Sequence, residues 1–131
     1  MDIKALAMKN MFLVFVGGGL GSMMRYALSH VINRSTTSPF PFGTFAVNII
    51  GCFFIGFIIF YSIRFGDRAE QWRFFLATGL CGGFTTFSAF SLESISLLTE
   101  QRILLFLTYI ISSVVTGIIA TYGGLLLAKN I

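Results

Sequence analysis

Long stretches without a formal charge constrain this chain more than any other feature of its sequence. Uncharged runs of 29, 19 and 26 residues cover positions 35–63, 74–92 and 103–128, and Arg25 divides another apolar run near the start. A helix needs about 20 residues to cross a hydrocarbon core of roughly 30 Å. The pattern therefore predicts an all-α integral membrane protein that forms a single membrane domain over residues 1–131. We place its four transmembrane helices at residues 11–32, 43–63, 73–98 and 102–127.

The composition excludes several classes of protein. The chain is 56% hydrophobic and 11% charged, whereas an ordinary soluble domain is about 45–50% apolar and about 25% charged. This composition therefore disfavours both a soluble enzyme and a secreted disulfide scaffold. The net charge of +4 comes from scattered Lys and Arg rather than from a basic run, so we expect no nucleic-acid partner.

Cysteine and glycine residues in the apolar runs are expected to pack rather than to react. Cys52 and Cys81 have no CxxC spacing and no partner histidine, which indicates small buried residues. The glycine-rich run at 17–21 has neither the preceding strand nor the following Lys-Ser/Thr of a phosphate loop. That run predicts close packing between helices.

The basic residues predict the orientation of the chain in the membrane. Arg34 and Arg102 lie on one side, with Arg25 if it is near that end. The other side carries both termini and six basic residues: Lys4, Lys9, Arg64, Arg68, Arg73 and Lys129. The excess favours both termini inside the cell. The start also resembles a signal peptide, but Arg25 and the continuing apolar pattern favour a retained first span.

The third span is predicted to be broken near the membrane midplane. Three glycines within five residues precede Thr85 and Thr86, and this composition weakens a continuous helix. Two interpretations stay open: the freed carbonyls could hold a cation, or the small residues could serve close helix packing.

Other residues in the spans are candidates for a polar path. Phe84, Phe87 and Phe90 recur every three residues with hydroxyls between them, which would place neighbouring rings on one helical face. Asn48 carries an amide that is costly in lipid unless it is paired. Arg25 either serves function or extends to the interface, and Glu93 is expected to reach a vestibule or an arginine.

Three motifs strongly resemble the Fluc (CrcB-type) family of bacterial fluoride channels. They are GGGLGSMMRY at 17–26, GTFAVNIIGCFFIG at 43–56 and TGLCGGFTTFSAFSLE at 78–93. The chain length, the four spans and the polar fourth helix match as well. The resemblance implies a passive fluoride-selective channel in the bacterial inner membrane that lowers cytoplasmic fluoride. It also implies an antiparallel dual-topology dimer with two pores and a central structural sodium ion.

The resemblance further implies roles for individual residues. Main-chain carbonyls of Gly82 and Thr85 would hold the Na⁺, and Arg25 and Glu93 would belong to the vestibule. The fluoride path would contain the following residues: Phe87, Phe90, Asn48, Thr44, Ser88, Tyr109 and Ser113.

Two departures from the family pattern are visible. Ala89 stands where the family often has Ser or Thr, and two interpretations stay open: one hydroxyl of the path is missing, or that position is not essential. The charge asymmetry is larger than in an ideal dual-topology protein, so a heterodimer with a paralogue stays an alternative to the preferred homodimer.

Two rival functions stay open. One is a small multidrug transporter, which is disfavoured because the first span has no Asp or Glu. The other is a non-transporting membrane subunit.

Overall fold

The computed structural model describes residues 3–131, without the side chains of residues 3, 67 and 68. Within that range all regular secondary structure is helical. Four helical regions are long and apolar enough to cross a membrane, which confirms the predicted class. Their bounds are Lys4–Arg34, Phe42–Ile63, Glu70–Thr99 and Ile103–Asn130.

We number the helices in chain order. Helix α1 covers Ile3–Arg34 and α2 covers Phe42–Ile63. A 3₁₀ turn at Gly66–Ala69 leads into α3, which consists of Glu70–Trp72, the π-helical Arg73–Cys81 and Gly82–Phe84. The remaining helices are α4, Phe87–Thr99, and α5, Ile103–Asn130.

The chain leaves the helical path between α3 and α4. Thr85 and Thr86 are both extended, with ψ angles of 158° and 117°. The glycines before them are helical, so the interruption follows the glycine-rich stretch instead of dividing it. Thr86 caps α4, since its hydroxyl accepts a hydrogen bond from the Ala89 N–H at 3.2 Å. The depth of this interruption in a membrane stays a prediction.

Glycines bring α1 and α3 into backbone contact. A Cβ atom at Gly17 would collide with the carbonyl of Phe75, and one at Gly21 would collide with the carbonyl of Leu80. The opposite helix contributes Gly79, whose Cα lies next to Gly17. The close packing predicted for the glycine run is therefore confirmed.

A second close contact joins α2 to α5. A Cβ atom at Gly56 would meet the backbone of Thr121, and one at Gly124 would meet the carbonyl of Phe53. Each helix thus offers a glycine to the backbone of the other. The same two helices carry Val47 and Tyr109, which are fully buried.

The loop between α1 and α2 is tied to the bundle. The Asn33 side chain accepts a hydrogen bond from the Gly43 N–H at 3.1 Å, where α2 begins. The ring of Phe40 lies 5.3 Å from that of Tyr109, edge to face. These contacts fix the first turn of α2 relative to α5, and therefore the position of Thr44.

A neighbouring pair of glycines tests the α2–α5 contact. Gly124→Ala should destabilise the protein by about 1–3 kcal/mol, because the new methyl group meets the Phe53 carbonyl. The matched control is Gly123→Ala, whose Cβ would lie 4.0 Å from the Phe53 ring, an ordinary contact. Thermal unfolding in detergent measures both variants. Equal melting temperatures for the two variants would contradict the close approach.

Candidate functional site

A groove with a volume of about 370 Å³ lies beside the interruption between α3 and α4. We call it the aromatic groove. It brings together six of the residues predicted from the sequence, and they come from three of the four membrane-spanning regions. These six are Asn48, Gly82, Thr85, Phe87, Phe90 and Ser113.

Asn48 pairs with the backbone of Thr86 in both directions. Its Nδ2 donates to the Thr86 carbonyl at 3.1 Å, and its Oδ1 accepts from the Thr86 N–H at 2.8 Å. Unpaired backbone groups are costly in an apolar environment. The amide therefore stabilises the extended backbone at the interruption. Because an amide nitrogen carries two hydrogens, one N–H of Asn48 is left over from this pairing.

The interruption changes what the Gly82 carbonyl can bond. In a continuous α-helix this carbonyl would accept the N–H of Thr86, four residues later. That N–H donates to Asn48 instead. At Thr85, the N–H and the hydroxyl both donate to the Cys81 carbonyl at 2.9 Å, while the extended ψ turns the residue's own carbonyl away from the helical direction.

The oxygens at this point suit a hard monovalent cation. Carbonyls of an unwound helix are suitable Na⁺ ligands, and both Gly82 and Thr85 line the aromatic groove. Over the described part of the chain, no three His, Cys, Asp or Glu side chains are grouped to hold a metal ion. Backbone carbonyls are thus the donors that this stretch offers to a cation, and the sodium itself stays a prediction.

Three aromatic rings follow one another from the groove, which Phe87 and Phe90 line, to the buried Tyr109. The rings of Phe87 and Phe90 are 5.6 Å apart at 40°, and those of Phe90 and Tyr109 are 5.1 Å apart at 53°. Phe87 is 79% exposed in the single chain. Phe84 does not share this face, because the interruption separates it from Phe87, and it is buried instead. The expected single ladder of three rings is therefore wrong for Phe84.

Two of the predicted serines lie in different surroundings. The Ser113 hydroxyl is buried in the groove and has no hydrogen-bond partner in the part of the chain that the structure describes. Ser88 lies outside the groove lining, with its hydroxyl 3.2 Å from that of Thr86. Ser113 therefore offers a free O–H donor, whereas Ser88 extends the polar surface at the start of α4.

A second hollow, of about 380 Å³, lies on the other side of Thr86. We call it the arginine depression. It contains the predicted residues Arg25, Thr44 and Glu93, and Thr86 lines both hollows. The Arg25 Nε is buried there without a hydrogen-bond partner among the described residues. Thr86 thus lies between the aromatic groove and a hollow that carries the charged residues Arg25 and Glu93.

Glu93 is held by two hydroxyl donors. Thr44 Oγ1 donates to one carboxylate oxygen at 2.7 Å, and Tyr109 OH donates to the other at 2.8 Å. Glu93 lines the same depression as Arg25, but within residues 3–131 the structure gives no ion pair between them. Of the two expectations for Glu93, its position at a hollow with Arg25 is observed and direct pairing is not. Tyr109 links both hollows, since its ring contacts Phe90.

Thr86 is the residue that sequence reasoning missed. It pairs with Asn48, caps α4 and lines both hollows. The sequence feature that could have indicated it is its place as the second threonine after the glycine-rich stretch.

The structure also locates Ala89, which lines the arginine depression. A Ser or Thr hydroxyl at position 89 would therefore belong to the Arg25 side rather than to the aromatic groove.

Comparison with known proteins gives matches over nearly the whole chain. The family model described as "CrcB-like protein, Camphor Resistance (CrcB)" matches residues 12–125. A Flavobacterium psychrophilum protein named "Fluoride-specific ion channel FluC" is 47% identical over 124 residues, which cover 95% of this chain and 100% of that protein. A Phocaeicola vulgatus protein of the same name is 48% identical over 123 residues, covering 93% and 100%. "Fluoride-specific ion channel FluC 2" of Nitrobacter hamburgensis is 43% identical over 122 residues, covering 93% and 98%.

Removing the Asn48 amide tests the pairing at the interruption. Asn48→Ala leaves the N–H and carbonyl of Thr86 without these partners, and each buried unsatisfied group costs about 1–3 kcal/mol. The control is Ser113→Ala in the same groove, which removes a hydroxyl that has no partner among the described residues. Thermal unfolding should give a much lower melting temperature for Asn48→Ala alone. Equal values would contradict the assigned role of Asn48.

Proposed function

The chain belongs to the CrcB-like family, and we propose that it is a passive, fluoride-selective channel of the bacterial plasma membrane. The curated relatives that it matches are named as fluoride-specific ion channels, not as enzymes. By this proposal it lets fluoride leave the cell and so lowers the cytoplasmic concentration of a toxic ion. The observation that carries the proposal is the aromatic groove, in which an interrupted helix, an amide, a free hydroxyl and two phenyl rings meet.

The chemistry of the groove fits a small, strongly hydrated anion. Fluoride accepts hydrogen bonds strongly, so a pore must replace its water with donors. Asn48 offers its remaining N–H and Ser113 offers its O–H. Phenyl rings carry a positive edge, so the edges of Phe87 and Phe90 would attract the ion weakly. Conduction needs this compromise, because an ion that binds too tightly does not leave.

In the proposed path, fluoride passes between the aromatic groove and the arginine depression. Arg25 supplies positive charge at the vestibule, and its Nε has no partner among the described residues. Glu93 would repel the ion, but its carboxylate accepts hydrogen bonds from Thr44 and Tyr109. These contacts support a structural task for Glu93 at the vestibule wall, while Ser88 extends the polar path.

A second copy of the chain would complete the site. Phe87 is largely exposed in the single chain, and the Gly82 carbonyl has lost the helical bond from Thr86. Lipid cannot satisfy such backbone groups. We therefore propose that a second subunit covers this face and that the interruption lies near the membrane midplane. An antiparallel homodimer would then form two pores, and a paralogue of opposite orientation is the alternative partner.

The proposed sodium ion would lie where the two subunits meet. The Gly82 and Thr85 carbonyls of both chains would together supply more oxygens than one chain offers. Such a cation would satisfy the carbonyls and add positive charge near the groove, which favours an anion there. It would be structural and not transported.

Fluoride efflux from proteoliposomes tests the function directly. The purified protein should release fluoride far faster than chloride, and Phe87→Ile or Phe90→Ile should abolish or strongly reduce the flux while the dimer stays assembled. Isoleucine removes the polarised ring edge but keeps a large apolar side chain. The matched control is Phe60→Ile, because Phe60 is exposed on α2 and lies outside both hollows. Absence of fluoride-selective flux in the wild type would refute the channel, and full flux in both variants would refute the ring assignment.

Replacement of sodium tests the structural ion. When a large organic cation replaces all Na⁺ during purification and assay, we expect the dimer to weaken or the fluoride flux to fall, because the groove carbonyls lose their partner. The flux should return when Na⁺ is added. A dimer and a flux that are both indifferent to sodium would contradict the proposed site at Gly82 and Thr85.

A further inference from the structure

A third cavity lies next to the aromatic groove along α2, towards the C-terminal end of that helix. Its volume of about 500 Å³ is within the roughly 300–1,000 Å³ that ligand pockets have. It lies between the last turns of α2 and the first turns of α3, and we call it the Trp72 pocket. Most of its wall is apolar and includes Phe57, Ile58, Tyr61, Phe65, Trp72 and Leu76.

Basic groups stand at the polar edge of the Trp72 pocket. Arg73 lines it, and the Arg73 Nε donates to the Ser62 hydroxyl at 2.8 Å. This bond fixes the side chain, and among the described residues the two terminal nitrogens of the guanidinium have no partner, so they can meet a ligand. At the same end of the bundle, the Arg64 side chain donates to the Lys129 carbonyl at 3.0 Å, so two further basic residues lie where α2 and α5 end.

Glu70 is the acidic residue with a described side chain beside this region. Glu70 shares a neighbouring depression with Arg73, but the structure has no ion pair between them among the residues it describes. Among the side chains that the structure describes, no acidic residue lines the Trp72 pocket. The described lining therefore combines an apolar wall with the fixed positive charge of Arg73.

The position of the pocket selects the class of ligand. Trp and Tyr are enriched at membrane–water interfaces, and here Tyr61 and Trp72 are 36% and 65% exposed at the end of a membrane-spanning helix. A phospholipid has an apolar chain next to a phosphate at this depth. Basic pockets between membrane helices are suited to anionic lipid headgroups. We propose that the Trp72 pocket binds an anionic phospholipid, with an acyl chain in the cavity and the phosphate on Arg73.

Lipid binding to the purified protein in detergent tests this assignment. Phosphatidylglycerol and phosphatidylcholine with identical acyl chains are compared by native mass spectrometry and by thermal unfolding. We expect tighter binding and a larger rise in melting temperature with phosphatidylglycerol, and no rise with inorganic phosphate alone. Equal binding of the two lipids would contradict recognition of the headgroup charge. An equal rise in melting temperature with inorganic phosphate would contradict the assignment of the ligand as a lipid.

Variants locate the site. Arg73→Gln should reduce the preference for the anionic lipid about fivefold, as expected for one basic side chain near the membrane surface. Arg102→Gln is the matched control, since Arg102 is paired with Glu100 on another loop at 3.0 Å, and it should keep the full preference. An unchanged preference in Arg73→Gln would contradict the site.

A variant that fills the cavity tests the lipid site without changing Arg73. Leu76→Trp places a larger side chain in the cavity and leaves every charge in place. It should weaken the binding of both lipids. Unchanged binding would overturn the placement of the acyl chain, even where Arg73→Gln fails to fold. Neither readout uses fluoride flux, so this inference and the proposed channel activity are tested separately.

Discussion

The pairing of the Asn48 amide with the Thr86 backbone is the interaction on which the rest of the site depends. An extended residue in an apolar span exposes an N–H and a carbonyl, and both need partners. Asn48 supplies an acceptor at 2.8 Å and a donor at 3.1 Å. Because Thr86 is held in this way, α4 can begin anew with Phe87, and the Gly82 carbonyl does not receive its helical bond. The groove between the two half-helices is the consequence.

Most of the fold could be predicted from charge and apolar length. Four uncharged or nearly uncharged runs predicted four spans, and four long helical regions are observed. The glycine run at 17–21 predicted close packing, and its backbone contact with α3 agrees. Helix α1 begins earlier than the predicted start at residue 11. The apolar pattern marks where a helix can meet lipid, whereas residues such as Lys4 and Ala5 continue the helix by their own propensity.

The sequence predicted which residues belong to the site but not how they are arranged. Asn48, Phe87, Phe90 and Ser113 were candidates, and they share one groove. The separation of Phe84 from the other rings was not foreseen, because a three-residue spacing places rings on one face only in a continuous helix. The two extended residues Thr85 and Thr86 interrupt that helix, so Phe84 and Phe87 no longer share a face. The importance of Thr86 was missed for a related reason. Its partner lies 38 positions away, and no local pattern reports a contact at that separation.

Amide exchange of Thr86, measured together with fluoride flux in the same preparation, is the decisive experiment for the Asn48–Thr86 pairing. We expect a protected Thr86 amide in the wild-type protein, because its N–H donates to Asn48, and we expect Asn48→Ala to lose this protection and the flux together. A wild-type channel that conducts fluoride while its Thr86 amide exchanges freely would contradict the claim that this pairing builds the path.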